Sequence, residues 1–479
     1  MSSLFHSFKW SFVSELSSKL VTPVVFIVLA RLLTPEDFGV MASALMVISF
    51  SQIFWEAGMG KALIQRQTDR MLSANFAFYI NVFLGLLVAL SLYLFSEHIA
   101  NTIFNDFRVF SVLQVMSIQV ILGSLSSVHI ALMQKDMEFK KLFWVRFATI
   151  SLPGLVSIPL ALNGMGYWSL VIGTLIGQFA QVIVLWKISD WRPCLDFNMS
   201  VSKEIATFGA WAAASGILTW FYVWVDSLIV GTYLGSSELG IFRTGSQFPI
   251  MIFALIFAPI IPVLYSHLSK MKQDANRVSA IFLNIVKTVI LIAIPVSILI
   301  FAYSLEIQIV IFGDQWIGLG FVIGVMALMH GYSWIVGLNG EVYRSMGKPS
   351  YETVVTGSTL IIYIIGYVIS IQNSFDSFVW TRLVLALCAI FLHLLVLKKI
   401  IHIDIMEIIG YIAKVSIIST LIVLPSYLLV DAYIDSSVIK LFLGGVFSGL
   451  LLIGMLYLTE RNGIIIVIKR FFTKLENNA

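Results

Sequence analysis

Of the 479 residues, 59% are hydrophobic and 12% charged, about half the ~25% charge of an ordinary soluble domain. Such a composition cannot cover a water-facing surface. The mean hydropathy of +0.95 is spread along the chain, which excludes a soluble domain on one anchor and predicts an all-α polytopic membrane protein. A formal charge of +4, dispersed between apolar stretches, excludes nucleic acid as a partner.

A helix crosses the hydrocarbon in about 20 apolar residues. That length sets out about fourteen spans, near 12–33, 38–60, 73–96, 109–132, 146–163, 167–186, 208–234, 240–266, 278–303, 317–340, 351–371, 378–397, 412–430 and 438–458. The first follows Lys9 with no small-residue cleavage site after it, so it reads as a retained helix. No loop between spans is long enough for a soluble domain. With the N-terminus inside, 23 of the 30 Lys and Arg fall on the inner side; Arg31, Arg108, Arg243, Arg382 and Lys440 fall on the other, and Lys19 and Lys287 within spans. The bias predicts both termini in the cytoplasm. The two cysteines, Cys194 and Cys388, have no CxxC or Cys/His companion, so no disulfide or metal site is implied.

An internal echo relates spans 1 and 7. VLARLLTPEDFGVM (Val28 to Met41) aligns with IVGTYLGSSELGIF (Ile229 to Phe242), pairing Leu33 with Leu234, Asp37 with Glu238 and Gly39 with Gly240. Two parallel six-helix lobes around a central cavity follow, residues 1–200 and 201–400, with 401–479 as two appended helices and a cytoplasmic tail. Ser236, in the short turn between spans 7 and 8, is expected to be accessible from outside.

The stretch Arg31 to Gln67, RLLTPEDFGVMASALMVISFSQIFWEAGMGKALIQRQ, resembles the opening signature of the polysaccharide transporter family, the Wzx-type flippases of bacterial surface polysaccharides. ALMQKDMEFKKL (Ala131 to Leu142) resembles the basic loop after the fourth span of those proteins, and YRSMGKPSYE occupies the equivalent loop of the second lobe. The resemblance implies the multidrug/oligosaccharidyl-lipid/polysaccharide (MOP) exporter fold, shared with lipid II flippases and multidrug antiporters. It also implies an undecaprenyl-pyrophosphate-linked oligosaccharide as cargo and a role in lipopolysaccharide O-antigen, capsule or exopolysaccharide synthesis. Polysaccharide polymerases and glycosyltransferases, with the membrane lipids themselves, are then the expected partners.

The candidate binding residues are charges and aromatics inside or beside spans. Lys19 stands one turn after Glu15 on span 1, in the order that favours an i,i+4 pair, and both must face protein or water rather than lipid. Arg31 ends that span, where a snorkelling side chain is ordinary; the resemblance makes it a headgroup contact. Asp226 lies eight residues before Leu234, ~12 Å deep at 1.5 Å per residue, and should have a basic or cationic partner. Around it Trp220 and Trp224, with Trp211, Phe221 and Tyr222, form either a sugar-stacking set or an interfacial belt. Arg243 opens span 8 as a further cationic candidate. Glu56 and Lys287 are secondary candidates that snorkelling or structural pairing also explains. His129 and His330 read as packing residues. Thr34, Pro35, Glu36 and Asp37 read as a helix start rather than a catalytic acidic pair. Prolines 249, 259 and 262 make span 8 a candidate bent helix.

No catalytic residue and no cofactor is expected. The GxxxxGK[ST] phosphate loop is absent, so ATP is not the driver, while coupling to a proton or sodium gradient stays open. Two rival functions remain beside the flippase: a cation-coupled exporter of small molecules, kept alive by Asp226 and Glu15, and a membrane polysaccharide polymerase or glycosyltransferase, which lacks its expected long outer loop.

Overall fold

The computed structural model describes residues 21–56, 58–66, 68–196, 198–257 and 275–459, and every regular element among them is helical. In order these are α1 (Val21–Leu32), α2 (Pro35–Glu56), α3 (Met59–Gln65), α4 (Arg70–Ile99, continued by a π turn Ala100–Phe104), α5 (Phe107–Lys135), α6 (Phe139–Leu162), α7 (Tyr167–Ile188), α8 (Met199–Leu234) and α9 (Ser236–Phe257). The series continues with α10 (Ala275–Ala302), α11 (Ser304–Ile307), α12 (Leu319–Ser333), α13 (Asn339–Ser345), α14 (Pro349–Ile371), α15 (Phe375–Lys398), α16 (Ile405–Tyr433) and α17 (Ser437–Thr459, with a π turn at Lys440–Gly444). Twelve of the described helices are long and apolar enough to cross a membrane. Two shorter apolar helices, α1 and α12, stand where the first and tenth spans are expected.

The chain forms two compact units, Met1–Arg243 and Thr244–Ala479. The division falls at Arg243 rather than at the expected 200/201 boundary, because α8 packs on α2, α3 and α4. Nor do the described residues after 401 form a separate appendage. Helix α16 lies along α10 and α17 packs on α16 within the second unit.

In the first unit, α4 pairs with α5 and α6 with α7 through small residues. A β-carbon on Gly85 would meet Ser124 at 2.8 Å, and one on Gly173 would meet Ser157 Oγ at 2.0 Å. Close backbone approach of this kind holds helices together where lipid is as apolar as leucine. The interior is filled by wholly buried Val40, Ala44, Val109, Leu113, Met116 and Val171.

The start of α2 follows its sequence signature. The Thr34 amide donates to Asp37 Oδ2 at 3.0 Å and the Asp37 amide to Thr34 Oγ1 at 3.3 Å, a reciprocal cap with Pro35 as the first helical residue. Asp37 Oδ1 also accepts from the Tyr167 amide at 2.8 Å, which ties α2 to the start of α7.

At this Thr34 end, α2 crosses the start of α9 with backbones in contact. A β-carbon on Gly39 would lie 1.7 Å from the Ser236 carbonyl oxygen, and one on Gly240 would lie 1.9 Å from the Pro35 carbonyl oxygen. The echo pairs Pro35 with Ser236 and Gly39 with Gly240, so each glycine receives the other repeat's helix start. Ser236 is therefore buried, 7% exposed, not the accessible turn residue the sequence suggests.

In the second unit α10 is central. Its stripe of Val286, Ile290, Ala293 and Ile294 is wholly buried, and Gly331 of α12 abuts Ser297. Hydroxyl pairs fasten the last helices: Tyr332 to Ser416 at 2.7 Å and Tyr303 to Ser448 at 2.8 Å. Helix α9 runs through Pro249; Pro259 and Pro262 lie outside the described residues.

Gly39→Ala or Gly240→Ala must push the two helix starts apart, at a cost of about 1–3 kcal/mol. Thermal unfolding of the purified protein in detergent should show a lower midpoint for both variants. An unchanged midpoint would mean that the crossing yields without loss.

Candidate functional site

Two of the sequence candidates come together in the first unit. Helices α8 and α9 form a hairpin around Gly235, whose φ of +88° suits a glycine. Asp226 lies eight residues before the end of α8 and Arg243 seven after the start of α9, so the hairpin sets them at similar depth. Asp226 is buried, 6% exposed. Its Oδ1 accepts from the Ser227 amide and, at 2.9 Å, from the Ser227 hydroxyl. Arg243 Nη1 stands 3.4 Å from the same hydroxyl, so Ser227 links the acid to the base. The Arg243 guanidinium lies 4.2 Å from the centre of the Trp224 ring, a cation–π contact.

The aromatic set divides. Trp220 donates from Nε1 to Ser49 Oγ at 3.0 Å and packs on Phe50 with ring centres 4.7 Å apart, while Trp224 packs on the same α2–α5 core. Trp211 and Tyr222 are exposed, as belt residues are.

The remaining candidates are dispersed. Lys19 and Glu15 lie outside the described residues. Arg31 is exposed in the last turn of α1. Lys287 pairs in the second unit with Glu407 at 2.6 Å, beside the Tyr411 ring, which is the structural pairing reading. His129 is wholly buried between Trp186 and Trp191, 5.0 and 5.1 Å away centre to centre.

Glu56 accepts from Gln52 Nε2 at 2.8 Å and lines a recess of about 380 Å³ in the first unit. Helices α2, α3, α5 and α7 form its walls. Gln119, Gln134, Gln178 and Gln181 also face it, with Ser126, Ser127 and Lys61. These glutamines are the residues that the sequence reading passed over. The available signal was spacing: Gln178 and Gln181 share one face of α7 at i,i+3, and Gln52 and Glu56 one face of α2 at i,i+4. Arg382, counted at first with the outer charges, stands inside α15 beside the Tyr367 ring and Met326 Sδ.

Electrostatic closure of the Thr34 end rests on Asp106, which lies between α4 and α5. It accepts from Arg108 Nη2 at 2.8 Å and from the Ser236 hydroxyl at 2.6 Å. Burial works to raise its carboxyl, but the Arg108 side chain, the Ser236 hydroxyl and the Arg108 amide together hold it below the usual carboxylate range. Among the described residues no three His, Cys, Asp or Glu cluster as metal ligands do.

The fold built by these helices is one that solved membrane transporters share. It matches the lipid II flippase MurJ in its inward closed conformation with a TM-score of 0.75 at 16% identity, over 93% of this chain and 98% of that one. It also matches an inward-facing multidrug resistance MATE family transporter of the MOP superfamily, with a TM-score of 0.62 at 12% identity over 80% and 95% of the two chains. The model of a family described as "Polysaccharide biosynthesis protein" matches residues 28–319, and the chain belongs to that family. The succinoglycan biosynthesis transport protein ExoT of Rhizobium meliloti is 27% identical over 67% of this chain and 65% of its own length. The teichuronic acid biosynthesis protein TuaB of Bacillus subtilis is 24% identical over 76% of each chain. The lipopolysaccharide biosynthesis protein WzxC of Escherichia coli is 22% identical over 71% and 67%.

A carboxyl held below its ordinary pKa stabilises the fold above the unfolded value of about 3.9, and that contribution is lost as pH falls through the folded value. Asp106→Asn should therefore unfold at a lower temperature than wild type at pH 7, with the gap closing as pH falls toward about 3. A gap constant across that range would show that the Asp106 charge adds nothing.

Proposed function

We propose that the protein flips an undecaprenyl-diphosphate-linked oligosaccharide from the cytoplasmic to the outer leaflet of a bacterial inner membrane by alternating access, as a step of surface polysaccharide synthesis. The observation that carries this reading is membership of the polysaccharide biosynthesis family over residues 28–319, supported by the MurJ-like fold. A glycan's hydroxyls each cost several kcal/mol in hydrocarbon without a partner, so its headgroup needs a polar path. The polyprenyl chain stays in lipid, where burial in protein would gain little.

In this scheme Arg243 meets the diphosphate. Trp224 holds the guanidinium in place, and Ser227 couples it to Asp226, which balances its charge. The inside-negative potential favours outward movement of the anion by about 2.3 kcal/mol per charge per 100 mV, and Asp226 is the group at which a proton or sodium ion would enter the cycle. Opening toward the outside requires α2 and α9 to part at the Gly39–Gly240 crossing. Polymerases and glycosyltransferases act on the cargo before and after this step. The basic-residue bias supports cytoplasmic termini, which makes the Thr34 end the outer one.

Deleting the gene should accumulate a lipid-linked glycan on the cytoplasmic face, and Arg243→Lys should restore surface polysaccharide. Arg243→Gln, at equal membrane abundance, should export about tenfold less, the effect of losing a charge-assisted contact of ~1.5–3 kcal/mol. Normal export by Arg243→Gln would remove Arg243 from the diphosphate path, and no glycan accumulation in the deletion strain would sink the flippase reading.

Topology has its own check. With Cys194 and Cys388 replaced, a cysteine at exposed Ile317 should react with an impermeant thiol reagent on intact spheroplasts. One at exposed Leu195 should react only after lysis. The reverse pattern would invert the orientation.

A further inference from the structure

We infer that the recess between α2, α3, α5 and α7 is a sugar subsite that recognises an uncharged monosaccharide of the cargo through the side-chain amides of Gln119, Gln178 and Gln181. This deepens the flippase reading and rests on it.

Depth is the first argument. Gln119 stands twelve residues from Phe107 on α5, and Gln178 ten from Ile188 on α7, ~18 and ~15 Å from those helix ends at 1.5 Å per residue. Both therefore sit near the middle of an approximately 30 Å hydrocarbon layer. Polar side chains at that depth are costly and mark a substrate path by default.

The second argument is what these amides leave undone. None of the three makes a side-chain hydrogen bond to another described residue, and Gln119 Oε1 is buried without a partner. An amide supplies two donors and an acceptor with two lone pairs. Three of them at similar depth in one recess hold a capacity that the fold does not use. Leaving the buried Gln119 Oε1 unpaired costs about 1–3 kcal/mol, a penalty that water or a ligand in the recess relieves.

Charge and size select the ligand. The recess is lined by one carboxylate, Glu56, and one ammonium, Lys61, so it offers no net positive charge to a diphosphate. Donors and acceptors in equal supply suit hydroxyl and acetamido groups, each of which does both. The Trp55 indole, seated where Gly123 has no side chain, adds an apolar wall for the C–H face of a ring. The 380 Å³ falls within the roughly 300–1,000 Å³ of small-ligand sites, room for one sugar and not for a repeat unit.

The test uses the purified full chain in lipid nanodiscs and saturation-transfer NMR with methyl glycosides of glucose, galactose, N-acetylglucosamine and glucuronic acid. At least one neutral or N-acetylated glycoside should bind saturably, and the glucuronide more weakly, since the recess has no net positive charge to offset desolvation of its carboxylate. The double variant Gln119→Leu, Gln178→Leu should bind that glycoside about tenfold more weakly or worse. Its thermal midpoint should match or exceed wild type, since no protein hydrogen bond is lost. No binding by any neutral glycoside, wild-type binding by the double variant, or a lowered midpoint that explains its loss would each overturn the subsite. Those outcomes leave the flippase reading standing if the deletion strain still accumulates lipid-linked glycan; a deletion strain that does not would sink that reading whatever the glycosides do.

Discussion

Hydrocarbon offers no hydrogen bonds, so every polar group that enters it must bring its partner or be given one. Helices meet that demand for the backbone, which is why every regular element among the described residues is helical. Side chains meet it in three ways here. Serine and threonine hydroxyls return to their own helix, as Ser51 does to the Ile48 carbonyl at 2.7 Å and Ser126 to Leu122 at 2.9 Å. Tyrosines tie one helix to another, as Tyr303 ties α10 to α17. Charged groups neutralise one another, as Lys287 does with Glu407. Gln119, Gln178 and Gln181 in the recess do none of these, and the rule that governs the rest of the bundle makes them conspicuous.

The same solvent removes the hydrophobic drive between helices, so adhesion falls to contact distance. This is why small residues occupy the crossings and why Gly39 and Gly240 are placed as they are. Each admits the opposing backbone to a distance at which a methyl group would overlap a carbonyl oxygen. The reciprocity mirrors the sequence echo, which pairs Pro35 with Ser236 and Gly39 with Gly240. A contact built from backbone and glycine gains little from any one side chain. It is firm while closed and leaves no large side chain to be repacked when it opens.

Much of the architecture was legible because length and apolarity alone define a span. The helix start at Thr34 was legible too, since Thr-Pro-x-Asp states its own capping geometry. Asp226 and Arg243 stood out singly as charges within reach of the membrane. Their linkage was implicit in their nearly equal distances from the α8–α9 turn, but Ser227 as the connector needed coordinates. The glutamines escaped because three non-adjacent spans and a short helix contribute to the recess, and one amide in an apolar window looks like a tolerated substitution. Lys287 was ambiguous for a related reason, its partner lying 120 residues away. The expected boundary at 200/201 follows the sequence echo, whereas the compact units depend on which helices touch, and α8 packs on α2, α3 and α4.

The two kinds of polar group in the first unit answer different parts of the transport problem. A guanidinium attracts any diphosphate, whatever glycan is attached, so in the proposed cycle Arg243 would supply capture without discrimination. Discrimination has to come from neutral contacts, since a sugar that lacks a matching hydroxyl leaves a buried amide unpaired, and rejection arises from that penalty rather than from attraction. A carrier also has to release what it binds, and a site of very high affinity would trap the cargo midway. Several amides that each contribute a modest net bond reconcile the two demands, because the penalty for a mismatch approaches or exceeds the net gain from any single match.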